Sequence, residues 1–309
     1  MRILKANDAA IAEAARVLRA GGLVAFATET VYGLGADATN ASAVARVFAA
    51  KGRPRFNPLI AHVRSLDQAR DHAALSPAAL KLAERFWPGP LTLVAPRKAQ
   101  SAVCDLACAG LDTIALRVPS HPVAQALLGA FDRPIAAPSA NRSGHVSATR
   151  ATHVAEDLGA DVDLILDAEA APLGIESTIV GFAGDGSARL LRPGAIAREE
   201  IEAIVGALGA PGESVAAPGM LAKHYAPRAR LRLDAEEKRP NELYLGFGAR
   251  GGDLNLSAAS DLREAAANLY AHLRALDARG AGCIAVAPIP REGLGEAIGD
   301  RLARAAARE

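Results

Sequence analysis

The sequence predicts an α/β fold: a twisted mixed sheet with flanking helices, followed by a smaller α/β domain. Short apolar runs of strand length recur along the chain, between segments with helical spacing. Several of these runs end in polar loops, which is how α/β proteins collect functional side chains at strand ends. Strands and helices do not alternate strictly, and this order favours a mixed sheet over a purely parallel one.

The composition is that of a folded protein, since 309 residues allow two domains and 50% of them are hydrophobic. Aromatic residues make up only 4%, so the predicted core consists mainly of Ala, Val, Leu and Ile. The net charge of +1 gives no general basic surface for nucleic acid. The three cysteines form neither a disulfide framework nor a zinc-ligand set, and we expect no protein-built metal site. Because the sequence has no signal-peptide core and no membrane-spanning run, we expect a soluble cytoplasmic protein.

Capping and breaking residues mark the elements of the first part of the chain. Asp8 can cap a first helix, and the pair Gly21 and Gly22 can end it. Ser76 followed by Pro77 is typical of a helix start. On this basis the sequence predicts helices at 8–20, 41–50, 77–86 and 122–128. It predicts strands at 23–27, 59–63, 91–95, 113–118, 135–137, 164–167, 177–182 and 189–191.

The predicted organisation is a first domain at 1–206, a linker at 207–228 and a second domain at 229–309. The linker is rich in Gly and Pro and has little periodicity. In the second domain the sequence predicts strands at 231–233, 243–247 and 284–287 and helices at 261–278 and 294–306. Residues 246–251 match the pattern G-x-G-x-x-G, but the alternating residues that follow do not predict the helix that a dinucleotide site requires.

The most informative stretch joins cations to a proline-stiffened backbone. Lys51 and Arg53 precede the strand predicted at 59–63, and Asn57 lies between them and that strand. An ammonium and a guanidinium on a stiff loop can bind a triphosphate. They can also stabilise the charge that moves onto pyrophosphate when the α-phosphate is attacked. The alternative is a basic turn at the surface.

Two further polar stretches follow short strands. Ser139, Asn141 and Ser147 lie in one loop and offer neutral groups for phosphate or ribose oxygens, although Ser and Asn also favour ordinary turns. Arg192 follows the strand predicted at 189–191 and precedes Pro193. On sequence alone, a surface arginine is the simpler interpretation of that position.

Four more polar residues lie at or beside predicted strand ends: Thr30, His62, Arg117 and Ser177. Together they supply two hydroxyls, an imidazole and a cation, which suit a small polar amino acid. Arg117 would be the clamp for its carboxylate. The alternative for His62 is a core histidine whose hydrogen bonds are satisfied within the protein.

These motifs, in this order, resemble those of the Sua5/YrdC/YciO family. The resemblance is carried by the stretch 28–35 (TETVYGLG), by Lys51-x-Arg53, by Ser139-x-Asn141 and by Leu191-Arg192-Pro193-Gly194. It implies a YrdC-like first domain, a Sua5-type second domain and catalytic roles for Lys51 and Arg53. It implies ATP contacts at Lys51, Arg53, Asn57, Thr113, Ser139, Asn141, Ser147, Arg192 and Tyr225. It implies L-threonine contacts at Thr30, His62, Arg117 and Ser177.

The resemblance also implies an activity, that of a nucleotidyltransferase. L-threonine, bicarbonate and ATP, accompanied by Mg²⁺, would yield L-threonylcarbamoyl-AMP and pyrophosphate. The product would serve the formation of N6-threonylcarbamoyladenosine at position 37 of tRNA, through downstream tRNA threonylcarbamoyl transferase proteins. Two alternatives stay open, an RNA-binding module of the same fold and an accessory protein of carbamoyl transfer. Direct tRNA contact is also open.

The predicted linker ends in a string that resembles a family signature, His224-Tyr225-Ala226-Pro227. The chain departs from that signature at Ala217, Leu221 and Ala222. We expect the linker, with Lys223 and Tyr225, to act as a lid that keeps water from a bound adenylate. The alternative is a plain tether of Pro and Gly residues that only connects the domains.

Overall fold

The computed structural model describes residues 1–182, 186–210 and 224–307. Its helices are α1 Asp8–Arg19, α2 Ala41–Lys51, α3 Leu66–His72, α4 Pro77–Phe86, α5 Pro122–Phe131, α6 Ala151–Leu158, α7 Arg198–Val205, α8 Leu262–Ala278 and α9 Leu294–Ala306. Its strands are β1 Arg2–Lys5, β2 Val24–Ala27, β3 Tyr32–Asp37, β4 Ile60–His62, β5 Leu91–Pro96, β6 Thr113–Arg117, β7 Ile135–Ala136, β8 Leu164–Asp167, β9 Thr178–Phe182, β10 Ala188–Arg192, β11 Arg230–Arg232, β12 Glu242–Gly246, β13 Leu254–Asn255 and β14 Cys283–Val286.

Two sheets organise these strands, and both confirm the predicted fold class. Ten strands form a mixed sheet in the order β1-β8-β2-β3-β7-β4-β6-β5-β9-β10. Its pairs β4/β6 and β5/β9 are parallel, whereas β2/β3, β5/β6 and β9/β10 are antiparallel. The other four strands form a parallel sheet in the order β11-β14-β12-β13, with α8 and α9 as its helices. In the described ranges, no helix is long and apolar enough to cross a bilayer.

Local capping explains where the helices begin and end. The side chain of Asn7 accepts a hydrogen bond from the Ala10 amide, so Asn7 caps α1 and the prediction that Asp8 is the cap was wrong by one residue. Ser76 caps α4 as predicted. Gly52 ends α2 in the left-handed conformation, with φ at 60°, which only glycine adopts without strain. This turn places Lys51 at the helix end and directs the chain towards Arg53.

Several elements were not predicted. The strand β3, which begins at Tyr32, was not among the predicted strands, and its glycines allow close packing against neighbouring side chains. A Cβ on Gly35 would lie 2.8 Å from atoms of Ile135 and Phe26. The short edge strand β1 and the strand β13 were missed, as were α3, α6 and α7. The residues before α6 and α7, Arg150 and Ala197, form no side-chain cap, so no capping residue marks these helix starts.

The core of the C-terminal part extends onto the large sheet. Residues of α8, α9 and the parallel sheet pack in one hydrophobic cluster with Val31, Val146 and Ile175, which belong to loops of the large sheet. The two parts therefore share buried surface beside those loops. The domain boundaries predicted above remain a proposal, and residues 211–223 of the predicted linker lie outside the described residues.

Candidate active site

A narrow pocket lies among the loops at one side of the large sheet, beside the segment that carries His224 and Tyr225. Its volume is about 40 Å³. Eight of the predicted site residues line it: Thr30, Arg53, His62, Arg117, Ser139, Ser177, Arg192 and Tyr225. The two predicted groups of residues, one for a nucleotide and one for an amino acid, thus meet in one place.

Lys51 and Arg53 are buried cations whose partners are backbone carbonyls. The Nζ atom of Lys51 donates to the carbonyl oxygens of Ser139 and Asn141, beneath the Ser-x-Asn loop. Arg53 donates from Nε to the Asn57 carbonyl at 3.2 Å and from Nη2 to the Pro58 carbonyl at 2.9 Å. Within the described part of the chain, neither cation forms a salt bridge. Both cations were predicted to lie on a loop. In the structure, Lys51 is the last residue of α2 and is only 3% exposed.

Burial lowers the pKa of both cations. Burial, with the charge of Arg53, lowers the pKa of Lys51 well below its ordinary value. Burial likewise lowers the pKa of Arg53 to about 10, with Arg192 contributing. An anion bound beside them would reverse this effect, because an opposite charge favours the charged form. The pair is therefore suited to bind a strongly negative ligand such as a polyphosphate.

Arg192 connects the two predicted groups of residues. Its Nη2 atom donates to the Ser177 carbonyl at 2.9 Å and to the Ser177 hydroxyl at 3.1 Å. The same hydroxyl lies 2.8 Å from the hydroxyl of Thr92 on β5. Arg192 was predicted to contact the nucleotide and Ser177 to contact threonine. Because the two residues are hydrogen-bonded, a ligand that moves one of them also moves the other.

Arg117 is held in the pocket by residues of the β2–β3 loop. Its Nη2 atom donates to Glu29 Oε1 at 2.7 Å, and its Nη1 atom donates to the Thr30 hydroxyl at 2.9 Å. The second oxygen of Glu29 accepts from the amides of Ser120 and His121 at the start of α5. Burial alone would raise the pKa of Glu29, but the charge and hydrogen bonds of Arg117 lower it. Glu29 was not predicted as a site residue, although it lies inside the first quoted motif.

His62 is a neutral imidazole at the wall of the pocket. Burial, together with the charge of Arg117, lowers its pKa to about 3. Among the described residues its Nδ1 atom has no hydrogen-bond partner. The ring meets Phe26 edge-on, with centroids 6.3 Å apart. His62 therefore offers a free ring nitrogen without adding positive charge beside Arg117.

Unsatisfied polar atoms concentrate at this site. Seven buried side-chain polar atoms have no hydrogen-bond partner in the described residues, although such atoms are rare in folded proteins. Five of the seven belong to residues that line or adjoin the pocket: Asn57, His62, Asn141, His224 and Tyr225. A bound ligand would supply the partners that these atoms lack.

A buried carboxylate beside the pocket was missed by the sequence analysis. Glu176 precedes Ser177, lines the pocket and accepts a hydrogen bond from the Ser147 hydroxyl at 2.6 Å. Burial alone would raise its pKa, but the charges of Arg301 and Arg192 lower it to about 2. Arg301 comes from α9, where it occupies the apolar face with Ile298 and Ala305. A charged residue in an apolar stripe was the available signal for this pairing.

Not every predicted residue lines the pocket. Lys51, Asn57, Asn141 and Ser147 are buried next to lining residues, at the contacts described above. Thr113 lies at the other end of β6 from Arg117, paired with Pro96. Four residues of strand span about 13 Å, so the structure does not bring Thr113 to the pocket wall. Its role as an ATP contact stays a prediction.

Comparison with known proteins gives matches along nearly the whole chain. Residues 16–194 match the Sua5/YciO/YrdC family, described as "Telomere recombination", and residues 196–307 match "Threonylcarbamoyl-AMP synthase, C-terminal domain". The threonylcarbamoyl-AMP synthase of Bacillus subtilis is 41% identical, over 98% of this chain and 94% of its own. That of Pyrococcus abyssi is 40% identical, over 94% and 92%. The crystal structure of P. abyssi Sua5 complexed with L-threonine matches with a TM-score of 0.89 and 38% identity, covering 99% of this chain and 96% of that one.

Proposed function

The chain belongs to the Sua5/YrdC/YciO family and carries the C-terminal domain of threonylcarbamoyl-AMP synthases, and from this premise we propose that it makes L-threonylcarbamoyl-AMP. The reaction uses L-threonine, bicarbonate and ATP and releases pyrophosphate. Relatives of that name match it at about 40% identity over nearly their full length, which supports this activity. The observation that carries the residue assignments is one pocket lined by both Arg53 and Arg117.

The first step is the capture of threonine. Arg117 donates to Gly89, Thr30 and Glu29, and its remaining N–H groups, which have no partner among the described residues, bind the threonine carboxylate in this proposal. The free Nδ1 of neutral His62 accepts a hydrogen bond from the amino group. The amine must lose a proton before it reacts with bicarbonate, and the reaction then yields a carbamate and one water molecule. Positive charge at Arg117 favours the resulting anion.

The second step is attack on ATP. A carbamate oxygen attacks the α-phosphorus, a P–O bond forms, and the bond to the pyrophosphate oxygen breaks. The carbamate is already anionic, so this step requires no general base. Lys51, Arg53 and Arg192 hold the triphosphate and stabilise the charge that develops on pyrophosphate. They already donate to oxygen atoms of the backbone and, for Arg192, of the Ser177 side chain, so they are oriented before the nucleotide arrives.

Mg²⁺ accompanies ATP in this proposal, and two side chains fit it. The carboxamide Nδ2 of Asn141 donates to the carbonyls of Arg142 and His145, which leaves its Oδ1 as a buried acceptor without a partner in the described residues. Asn57 presents a second such oxygen. Neutral oxygens suit Mg²⁺ or its bound water. The described residues contain no group of three or more His, Cys, Asp or Glu that could hold a metal, so phosphates and water would complete its shell.

The biological setting is part of the same proposal. The product is an activated threonylcarbamoyl group, and downstream tRNA threonylcarbamoyl transferase proteins would pass it to adenosine 37 of tRNA. A cytoplasmic location fits that use. The same proposal includes closure of residues 207–228 over the bound adenylate. Two of the described residues in this segment, His224 and Tyr225, line the pocket, which supports a covering role.

The decisive experiment is product analysis. The protein is incubated with ATP, L-threonine and labelled bicarbonate, and the expected product is a labelled adenylate formed together with pyrophosphate. Omission of threonine should abolish the label, and its replacement by valine should lower it strongly, since a pocket that binds the threonine hydroxyl disfavours an analogue without it. An unlabelled reaction, combined with tRNA binding that ATP and threonine do not affect, would favour the RNA-binding alternative. Transfer of a carbamoyl group without threonine would favour the accessory role.

A further inference from the structure

A buried cluster joins the C-terminal part of the chain to the pocket. Its centre is the carboxylate of Glu176, whose Oε2 atom accepts hydrogen bonds from Tyr270 of α8 and from Arg301 of α9, both at 2.8 Å. Arg301 also donates from Nη2 to the Pro193 carbonyl at 3.0 Å, next to Arg192. Arg301 is 1% exposed. A single side chain of the last helix thus contacts two segments that carry pocket residues.

Tyr225 is packed between the same two side chains. The Arg301 guanidinium lies 5.0 Å from the centre of the Tyr225 ring, within the range of a cation–π contact. The ring of Tyr270 stacks on Tyr225 with centroids 5.7 Å apart and an angle of 23°. Tyr225 has a φ of 63°, which is rare for a bulky residue and persists only where the surroundings hold it. The next residue, Ala226, is fixed by its amide, which donates to the Gly144 carbonyl at 2.7 Å.

We propose that Arg301 is a positioning residue of the active site, holding Tyr225 against the pocket and fixing the Glu176 carboxylate that orients the Ser147 hydroxyl. A guanidinium is suited to this role because its face can lie on an aromatic ring while its edge donates to a carboxylate and a carbonyl. The inference rests on the proposed function for its catalytic readout. Through Arg301, the C-terminal domain would then help to build the active site, in addition to being joined to the first domain by residues 207–228.

The test is a double-mutant cycle between Arg301 and Tyr225. Arg301→Met keeps the length of the side chain and removes its charge, and Tyr225→Ala removes the ring. We expect each to lower kcat/KM for ATP by about 10²-fold, the scale of a misplaced catalytic geometry. If Arg301 acts through Tyr225, the double variant should lose no more than about 10³-fold, short of the roughly 10⁴-fold expected for independent sites. The matched control is Arg291→Met, which removes an exposed arginine of the same domain and should combine with Tyr225→Ala without coupling.

The outcomes separate this inference from the proposed function. A double variant whose loss equals the product of the two single losses would overturn the positioning role, as would a normal kcat/KM in folded Arg301→Met. In either case, product formation by the wild type would still support the proposed function. If the wild type makes no product, the same cycle measured on thermal midpoints without substrates still tests whether Arg301 holds Tyr225. If Arg301→Met does not fold, Arg301→Lys replaces it in the cycle. Lysine keeps the charge over the ring but loses the forked contacts, so we expect a loss of roughly 10-fold.

Discussion

Cations in two regions of this protein differ in what neutralises them. In the C-terminal sheet region the exposed cations face carboxylates, as in Lys238 with Asp253 at 2.8 Å and Arg291 with Asp234 at 3.1 Å. At the pocket, Lys51 and Arg53 are buried and donate to backbone carbonyls. The exposed cations are neutralised by their carboxylate partners and by water, so they do not require a ligand. At the pocket, carbonyl dipoles face the cations and no carboxylate of the described residues forms a salt bridge with them, so the cations can still bind an anion.

This difference shows how to distinguish a functional charge from a structural one. Burial of an ion without a counter-ion is costly, and a folded protein keeps such a group chiefly where it has a task. Arg117 lies between the two cases, because it is buried and paired with Glu29 yet still reaches the pocket. Each region therefore predicts a different ratio of lost activity to lost stability on mutation.

The largest effect is expected for removal of a pocket cation. Lys51→Met should lower kcat by about 10²-fold or more, the scale of losing one preorganised donor to the transition state. Its stability should change little, because relief of the buried charge offsets the loss of two hydrogen bonds to the Ser139 and Asn141 carbonyls. The measurements are steady-state pyrophosphate release and the thermal midpoint.

Lys238→Met is the matched control, since it removes an exposed lysine that has a carboxylate partner. It should leave kcat unchanged. Equal losses of activity in the two variants, or wild-type activity in Lys51→Met, would remove the distinction between the regions.

The next effect concerns Arg117. Its removal alone would leave Glu29 as an unpaired buried carboxylate, so the variant of choice is the double change Arg117→Met with Glu29→Gln. We expect the threonine Kd to rise roughly 10- to 100-fold, corresponding to a lost charged hydrogen bond. ATP affinity should stay within about threefold, because Arg117 lies on the threonine side of the pocket. Isothermal calorimetry measures both.

The control for Arg117 is an exposed pair in the same domain, Arg64 and Asp132, at 2.9 Å. Arg64→Met combined with Asp132→Asn should leave both affinities unchanged. If the Arg117 variant still binds threonine with the wild-type Kd, a residue other than Arg117 must bind the threonine carboxylate.

Of the 23 α-helices and strands that the structure describes, the sequence predicted 17, helped by local signals such as Ser76-Pro77. Of the sixteen residues that line the pocket, it predicted eight as site residues. The apolar face of α9 signals that Arg301 is buried with a partner, but that partner, Glu176, lies 125 positions away and no local pattern identifies it. The strand β3 was missed because Gly33 and Gly35 have low strand propensity, whereas the packing of Gly35 against Phe26 and Ile135 leaves no room for a side chain.

A smaller effect is expected from acid, through the neutral imidazole of His62. Its folded pKa of about 3 lies below the ordinary value of 6.5, so the unfolded chain binds the extra proton between these two pH values. Stability must therefore fall as pH falls through this window. From pH 7.5 to 5.0 His62 should contribute a loss of about 2 kcal/mol, at 1.36 kcal/mol per pH unit below 6.5. Urea titrations at the two pH values should show a shallower loss in His62→Gln, and equal losses would contradict the burial of a neutral ring.

The smallest effect is expected at the exposed pair of Arg291 and Asp234, whose side chains are 82% and 59% exposed. Water solvates both charges and salt screens them, so their coupling in a cycle of Arg291→Met and Asp234→Asn should stay below about 1 kcal/mol. It should shrink further in 1 M salt, while kcat and both substrate affinities remain those of the wild type. Thermal midpoints of the four proteins at low and high salt measure the coupling. A coupling of several kcal/mol, or a loss of activity, would mean that this surface pair supports the site as the buried contacts do, and the contrast between the two regions would fail.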